Sequence, residues 1–364
     1  MVFEQPASQT IALPLIPHSQ PWVTEADTQA IIQVVQSGML SHGKICDYFE
    51  SQFAQFHSLP EESAVSVPSG ASGIALALLA KGIKPEEEVI LPSYVCDSVE
   101  KAVKSIGAKP VLCDIGQDWL MNAETISAVI TPYTKAIIVV HLFGLPVAIK
   151  EIQHFGIPII EDCCQALGTQ DPASGMPVGL QGDFGVFSFH ATKCLTTGEG
   201  GMVISHLPEN TWAMKQLQKE NPLFRPLNDI QAALGLNQLS QYPQALARRK
   251  DIAQYYLDAL PHPWTSPLKA YWESSNFFRF PLWMDNATSE TFSHFQKAAL
   301  QRQVSIRRGV DALLKSHDRA FPNANRAFQN TVSIPIHPVF TETEMRRVVD
   351  SILTEQDERK HLQS

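Results

Sequence analysis

The sequence predicts an α/β protein with a large domain built on a mainly parallel sheet and a small C-terminal α/β domain. The first observation is that short apolar segments alternate with helix-like segments from Ala64 to Ser205. This alternation is typical of a parallel sheet covered by helices on both faces. The second is a change of pattern after residue 240, where a long helical region precedes a smaller alternating set. Because ligands bind such sheets at the carboxyl ends of the strands, we expect the functional residues there.

The elements of the large domain follow from hydrophobic periodicity. Residues 1–20 are proline-rich and unpatterned, which predicts an N-terminal arm. Apolar spacing predicts amphipathic helices near Glu25–Gln36 and Asp47–Phe56. Two further helices are predicted at Ala71–Lys81 and Cys96–Ile106. The predicted strands are Ala64–Val67, Glu88–Leu91, Pro110–Asp114, Ala136–Val140, Ile157–Glu161, Gly185–Phe189 and Gly201–Ser205, with helical segments between the later ones.

The C-terminal part begins with a long helical region at Asp229–Leu260, which we expect to be interrupted at Pro243. Strands and helices then alternate, with strands predicted at Asn276–Trp283, Val304–Arg307 and Thr331–Ile336 and helices at Thr288–Gln301 and Thr341–Leu353. We therefore predict an arm at 1–20, a large domain at 21–245 and a small domain at 246–364.

Composition excludes several classes of protein. The formal net charge of −9 over 364 residues argues against a nucleic-acid-binding protein, which normally has a basic face. The chain has no apolar run long enough to span a membrane, and MVFEQPASQT lacks the basic and apolar regions of a secretory signal. The six cysteines form no CxxC pair, so we expect free thiols in a cytoplasmic protein.

The segment FSFHATKCLTTGEGGMV carries the most informative side chain, Lys193. A lysine between a strand and a glycine-rich turn is well placed to enter a cleft and form a Schiff base with a carbonyl compound. The alternative is a lysine that caps a turn in solvent. The strand PIIEDCCQALG ends at Asp162, and a lysine and a carboxylate on neighbouring strand ends are the side chains that pyridoxal phosphate (PLP) needs. Glu161 competes with Asp162, and alternation places only one of them toward the ring.

Other polar groups complete this predicted site. VPSGASG opens a helix after a strand, and its Gly70 and Ala71 amides would suit a phosphate, although many such turns are purely structural. Ser188 precedes Lys193 and adds a hydroxyl group, and Gln165 follows Asp162 by one turn. For His141 and His190, a structural role and a catalytic role both stay open.

Together and in this order, eight segments resemble the DegT/StrS group of sugar aminotransferases, which are fold-type-I PLP enzymes. Weaker similarity continues to SIPIHPVFTETEMRRVVDSI, so the resemblance covers nearly the whole chain. The eight segments are SGMLSHGKICDYFESQFAQF, VPSGASGIALALLA, EVILPSY, GAKPVLCDI, TKAIIVVHLFGLP, PIIEDCCQALG, GDFGVFSFHATKCLTTGEGGMV and NDIQAALGLNQL.

The resemblance implies the PLP-dependent transferase fold type I, with a mainly parallel seven-stranded sheet in the large domain and a small C-terminal domain. It implies that Lys193 forms the Schiff base with PLP, that Asp162 pairs with the pyridine nitrogen and that Gln165 contacts the ring or its 3′ oxygen. Ser188, with the backbone of Gly70 and Ala71, would hold the phosphate. His190 and Cys96 would also lie in the cofactor site, and members are homodimers with shared active sites.

The chain also departs from the family pattern. Cys96 replaces a common aromatic residue that stacks on the cofactor, and Ala71 replaces a common threonine. Arg225 lies near the place of an asparagine that reaches the partner subunit, and would supply a cation there instead. Arg307 and Arg308, in VSIRRGV, have two interpretations: a site for a diphosphate or carboxylate, or two solvated arginines.

The leading hypothesis is a PLP-dependent aminotransferase that takes its amino group from L-glutamate or L-glutamine. The acceptor would be a keto-sugar linked to a nucleotide. Lysine rather than histidine at position 193 favours transamination over the sugar 3-dehydration of some relatives. Two alternatives remain: another PLP chemistry on the same scaffold, namely an amino-acid or carbasugar aminotransferase or a lyase, and a non-catalytic regulatory relative. No metal is expected.

Overall fold

The structure, a computed structural model, has a central sheet whose strands all come from residues 64–204. It describes residues 13–260, 266–284, 287–314 and 319–363, without the side chains of Pro267 and residues 355–363. The strands of this sheet are β1 (Ala64–Val67), β2 (Glu88–Pro92), β3 (Lys109–Cys113), β4 (Thr134–Val140), β5 (Ile159–Asp162), β6 (Phe184–Ser188) and β7 (Gly201–Ile204).

The strand order is β1-β7-β6-β5-β4-β2-β3. Strand β7 runs antiparallel to both neighbours, and all other pairs in this sheet are parallel. The mainly parallel seven-stranded sheet is therefore confirmed. Its consequence for the site is that β2, β4, β5 and β6 all end at the same edge, which brings together the residues that follow Val140, Asp162 and Ser188.

Helices cover this sheet on both faces. Their starts follow local chemistry: Thr24 and Asp27 form a capping box before the first helix, and Ser69 accepts the Ser72 N–H before the third. The helices of this part are α1 (Glu25–Ser37), α2 (Lys44–Phe56), α3 (Gly70–Ala80), α4 (Asp97–Ser105), α5 (Ala123–Ser127), α6 (Pro208–Glu220) and α7 (Asp229–Ala259).

Two expectations about helices were wrong. Between β4 and β5 the chain forms three short 3₁₀ turns instead of an α-helix. Helix α7 continues through Pro243 for 31 residues, although proline removes one helical hydrogen bond. Packing of α7 along α1 and α2 compensates for that loss, because buried side chains such as Leu239 and Tyr242 flank the proline. Residues 245 and 246, the predicted domain boundary, lie inside this helix.

A second, smaller sheet follows α7. It has the order β8-β10-β9, with both pairs antiparallel. The strands of this sheet and the helices between and after them are β8 (Phe280–Trp283), α8 (Ser289–Gln301), β9 (Arg307–Arg308), α9 (Pro322–Asn330), β10 (Thr331–Ile334) and α10 (Glu342–Gln363). The strand predicted from Asn276 starts only at Phe280, because Asn276 and Phe277 form a buried turn in which Phe277 has a φ of 50°.

The described end of the predicted arm packs against this smaller unit. The Ile16 N–H donates to the Gln303 carbonyl at 2.8 Å, and the Ser305 N–H donates to the Ile16 carbonyl at 3.0 Å. The strand predicted at Val304–Arg307 is therefore not continuous. Val304 forms only an isolated bridge with Ile16, and β9 begins at Arg307. Residues 1–12 of the arm lie outside the described residues. Among the described helices, none combines the length and the apolarity that crossing a membrane requires.

Candidate active site

Lys193 lies in the loop between β6 and β7, at the carboxyl edge of the large sheet. Backbone hydrogen bonds from Phe189 to Gly200 and from Lys193 to His190, both 2.8 Å long, fix the loop. The Lys193 side chain is half-buried, and its Nζ atom lies 5.0 Å from the centre of the Phe278 ring. Within the described part of the chain no carboxylate forms an ion pair with Lys193, so its amine is available to a carbonyl compound.

A small pocket surrounds this amine. Its walls come from the residues after β5, from the end of β6 with the lysine loop, and from the turn before β8. The pocket residues that could contact a ligand are Cys164, Gln165, Ser188, Lys193, Asn276 and Phe278. The structure therefore brings Gln165, Ser188 and Lys193 together, as the sequence predicts.

Asp162 is the carboxylate beside this pocket. It is 5% exposed, and one of its oxygens, Oδ1, accepts the N–H of Cys164 at 2.9 Å. Cys164 is a pocket residue, and the charge of Asp162 adds to burial in raising the pKa of the Cys164 thiol. Asp162 is thus held beside the pocket through its hydrogen bond to a residue that lines it.

Glu161 is engaged elsewhere. It is fully buried and accepts from His141 Nε2 at 2.9 Å, and also from three backbone N–H groups, those of Gly179, Gln181 and Gly182. His141 Nδ1 accepts the Val147 N–H at 3.0 Å, which leaves the proton on Nε2. Burial raises the pKa of Glu161, but the hydrogen bonds from His141 and the backbone outweigh it, and the pKa is lowered. Both oxygens of Glu161 are thus engaged within the protein, and those of the neighbouring Asp162 are not bonded to His141.

The amino end of α3 packs against two residues of the pocket, Cys164 and Ser188. A Cβ atom at Gly70 would lie 2.5 Å from the Cys164 sulfur and 3.1 Å from the Ser188 Cβ, so glycine is required by this close approach. Ser69 caps the helix through Ser72, which leaves the Gly70 and Ala71 amides without a side-chain cap. Helix N-terminal amides beside the Ser188 hydroxyl suit an anion.

Gln165 is oriented by the backbone of the neighbouring loop. Its Oε1 atom accepts the Phe143 N–H at 2.8 Å, so its amide N–H₂ group is the end left for a ligand. Asn276 holds the same region from the other side, donating to the carbonyls of Gln165 at 3.1 Å and Leu167 at 3.0 Å. Asn276 and Phe278 were missed by sequence reasoning, because nothing local links a segment so far along the chain to Lys193.

Cys96 and His190 lie farther from the pocket. Cys96 is exposed at the start of α4, near enough that a charge on it would raise the pKa of Cys164. His190 is exposed, with its Nδ1 atom 2.9 Å from the Thr192 hydroxyl and its Nε2 atom 3.6 Å from Glu199. Neither residue lines the pocket around Lys193.

The three arginines singled out from the sequence are in different environments. Arg225 is exposed and donates to the Pro222 carbonyl at 3.1 Å. Arg308 is held between two aromatic rings, with its guanidinium 4.1 Å from the centre of Phe292 and 4.6 Å from that of Phe328. Arg307, on the opposite face of β9, is exposed. Arg308 is therefore a packing residue, whereas Arg307 has no side-chain hydrogen bond or ion pair to another described residue.

The residues of this site fit PLP on chemical grounds. An amine without an ion pair, a buried carboxylate, an amide donor, and a hydroxyl beside a helix N-terminus are the groups that suit an aldehyde, a pyridine nitrogen, a phenolic oxygen and a phosphate. All of these groups lie between residues 70 and 193. Phe278, in the turn before β8, forms a wall of the pocket around Lys193.

Comparison with known proteins agrees with this geometry. Residues 21–353 match the sequence profile described as the DegT/DnrJ/EryC1/StrS aminotransferase family. The aminotransferase TlmJ from Streptoalloteichus hindustanus is 28% identical, and the match covers 95% of this chain and 100% of that one with a TM-score of 0.86.

Two further structures share the fold at lower identity. The PLP form of Spr1654 from Streptococcus pneumoniae is 24% identical over 94% of this chain and 99% of its own, with a TM-score of 0.85. DesI, solved in the presence of its TDP-sugar product, is also 24% identical, over 96% of this chain and 95% of its own, with a TM-score of 0.84.

Proposed function

This chain belongs to the DegT/DnrJ/EryC1/StrS aminotransferase family of PLP-dependent enzymes, and on that premise we propose the reaction that it catalyses. An amino group passes from L-glutamate or L-glutamine to a keto-sugar that is linked to a nucleotide. The observation that carries this proposal is the unpaired Lys193 amine in a pocket beside Asp162, Gln165 and Ser188. A regulatory relative without catalysis would not need this complete set.

Each pocket residue has a role toward PLP in this proposal. Ser188 and the Gly70 and Ala71 amides bind the phosphate, Asp162 accepts a hydrogen bond from the pyridine nitrogen, and Gln165 donates to the phenolic oxygen. When bound, PLP supplies the aldehyde that carries the amino group and a ring that withdraws electrons from the reacting carbon. Cys96 and His190 border this site from the outer side, where a partner subunit would cover them.

Lys193 performs two tasks. It would attach the cofactor through Nζ, and, once released, the same amine would move a proton between Cα of the amino donor and C4′ of the cofactor, and in the reverse direction for the acceptor. The Phe278 ring lies beside Nζ, with its centre 5.0 Å away, and limits where this amine can move.

The proposed class of amino acceptor follows from the family and from one solved structure of similar fold. DesI holds a TDP-sugar product on the same fold, and we propose the same class of acceptor for this chain. The test is to load the protein with PLP, add L-glutamate or L-glutamine, and follow the visible absorption of the bound cofactor. A band that disappears with either donor and returns on addition of a TDP- or UDP-linked keto-sugar supports the proposal. A band that no amino donor changes would contradict it.

We also propose that the active form is a homodimer. Helices α1, α2 and α7 border an open groove lined by apolar side chains such as Val34, Ile45 and Leu236. Around it Val35, Met39 and Tyr48 are exposed, and Tyr48 is 56% accessible. An exposed apolar patch of this kind usually marks an interface with another protein chain. Light scattering should give a dimer for the wild type and a monomer for Tyr48→Asp, whereas Tyr133→Asp, on a different exposed tyrosine, stays dimeric.

The cytoplasm is the compartment that we propose. All six cysteines of the chain are free thiols in the structure. Six cysteines without a disulfide are typical of a protein from a reducing compartment. Thiol titration of protein isolated under non-reducing conditions checks this, because six titratable thiols are expected after unfolding.

A further inference from the structure

Asn276 lies in the turn before β8 and forms part of the wall of the pocket around Lys193. It is 1% exposed, and both polar atoms of its amide group are bonded to backbone. The Nδ2 atom donates to the Gln165 carbonyl at 3.1 Å and to the Leu167 carbonyl at 3.0 Å, and the Oδ1 atom accepts the Phe278 N–H at 3.0 Å. A carbonyl only accepts and an N–H only donates, so these partners fix the orientation of the amide.

A second set of contacts joins Asn276 to the turn that follows β4. A Cβ atom at Gly144 would lie 2.1 Å from Asn276 Oδ1, so this close approach requires glycine. The Thr169 hydroxyl accepts the Asn276 backbone N–H at 3.3 Å and donates to the Gly144 carbonyl at 3.2 Å. Phe143, the residue before Gly144, donates its N–H to Gln165 Oε1 at 2.8 Å. The backbone carbonyl and the side chain of Gln165 are therefore held by one continuous set of hydrogen bonds.

We propose that Asn276 is a positioning residue for Gln165. This inference rests on the proposed function, in which Gln165 donates to the phenolic oxygen of PLP. Asn276 fixes the backbone from which the Gln165 side chain extends, and Phe143 fixes its Oε1 atom, so the N–H₂ group has a single direction. Asn276 thus acts on the cofactor through Gln165.

A role in folding alone would have a different consequence. If Asn276 only stabilises a buried turn, its loss lowers the unfolding free energy and leaves the bound cofactor unchanged. If it positions Gln165, its loss withdraws the donor from the phenolic oxygen. That oxygen carries negative charge beside the nitrogen that joins PLP to Lys193, and without the donor this nitrogen keeps its proton to a higher pH. The pH at which the visible band of bound PLP changes therefore separates the two roles.

The experiment compares the PLP-loaded wild type, Asn276→Ala, Gln165→Ala and the double variant by absorption across a pH series. Each single variant should raise the pH of the transition by about half a unit to one unit, the size of one hydrogen bond. The double variant should match Gln165→Ala, because a residue that acts through Gln165 then has nothing left to position. The matched control is Ser275→Ala, whose lost hydroxyl accepts the Phe277 N–H within the same turn, and it should keep the wild-type transition.

A second readout needs no cofactor. The Phe143 N–H is held by Gln165 Oε1, so a loosened Gln165 exposes it to exchange with deuterium. Mass spectrometry of the peptide that contains Phe143 should show faster exchange in Asn276→Ala and in Gln165→Ala, and the wild-type rate in Ser275→Ala. Urea denaturation of each variant gives its unfolding free energy, which shows whether the faster exchange is local or reflects unfolding of the whole chain.

Three results would overturn the proposal. Additive shifts in the double variant would mean that Asn276 acts independently of Gln165. A wild-type transition in Asn276→Ala, with lower stability alone, would reduce Asn276 to a structural residue. If Asn276→Ala does not fold, Asn276→Ser replaces it, and a wild-type transition with a wild-type exchange rate at Phe143 would contradict the proposal. A wild type whose bound PLP no amino donor changes would instead defeat the proposed function, while faster exchange at Phe143 in Asn276→Ala would still support the positioning of Gln165.

Discussion

Glu161 and His141 form a fully buried hydrogen bond of 2.9 Å, directly beside the carboxylate that borders the pocket. This bond, with three backbone donors, uses both oxygens of Glu161. Consecutive residues of one strand point to opposite faces, so the same bond that fixes Glu161 leaves Asp162 on the side of Lys193. The two adjacent carboxylates therefore lie in separate environments, and in the proposed function only Asp162 contacts the cofactor.

Asp162→Asn should leave the fold intact and reduce the rate of amino transfer by about 10² or more, because an amide does not keep the pyridine nitrogen protonated. Stopped-flow absorption of the L-glutamate half-reaction measures this rate. Circular dichroism before and after the change serves as the control for folding. A rate within a factor of two of the wild type would remove Asp162 from the site.

Glu161→Gln should show the opposite pattern. Glutamine keeps one acceptor oxygen, but its N–H₂ group replaces the other, so at least one buried donor loses its acceptor at a cost of about 1–3 kcal/mol of unfolding free energy. Urea denaturation measures this loss, and PLP titration of the folded variant should give an affinity close to that of the wild type. A stable Glu161→Gln protein that no longer binds PLP would reverse the assignment of the two carboxylates.

Lys193→Ala and Lys193→Arg should both retain the fold and bind PLP without a covalent bond. Arginine keeps the charge, and so this pair separates the loss of a cation from the loss of a nucleophilic amine. Borohydride reduction followed by mass spectrometry of the tryptic peptides detects the bond. The wild type should carry the cofactor on the Lys193 peptide. An adduct of similar yield on another peptide of either variant would contradict the assignment.

Gly70→Ala should weaken PLP binding about tenfold, because the new methyl group would lie 2.5 Å from the Cys164 sulfur at the phosphate end. Adding Cys164→Ala removes that sulfur and should recover part of the affinity, while Cys164→Ala alone stays near the wild type. Fluorescence titration with PLP gives all three constants. Equal affinities for Gly70→Ala and the wild type would show that this end of the pocket does not contact the phosphate.

His57 should make the fold sensitive to acid. Burial among Phe53, Phe56 and Phe187 lowers its pKa to about 4, although its Nδ1 hydrogen bond to the Phe53 carbonyl acts in the opposite direction. The unfolded chain then binds a proton that the folded one does not, between the ordinary histidine pKa near 6.5 and about 4. Stability is therefore present above this window and falls as the pH is lowered through it, by up to about 3 kcal/mol from this residue.

Urea denaturation at pH 7.5, 5.5 and 4.5 measures this dependence. His57→Leu should flatten the decline, because leucine fills the aromatic site without titrating. The exposed His206→Gln is the matched control and should keep the wild-type profile. The same slope in His57→Leu as in the wild type would assign the acid sensitivity to other groups.

The sequence by itself determined the strand-and-helix alternation, the position of Lys193 after β6 and of Asp162 at the end of β5, and the glycine turn before α3. These are local properties: apolar runs specify buried strands, and glycine marks the close approach at position 70. Alternation along one strand also settled that Glu161 and Asp162 differ, without showing which of them faces the ring.

Only the tertiary structure decided the rest. It paired Glu161 with His141, added Asn276 and Phe278 to the pocket wall and placed Arg308 between two rings. It also kept α7 helical through Pro243. The reason is that these features depend on contacts between segments distant in the chain, and such contacts can override local preference. Local pattern fixes which elements form, whereas packing fixes which side chains meet.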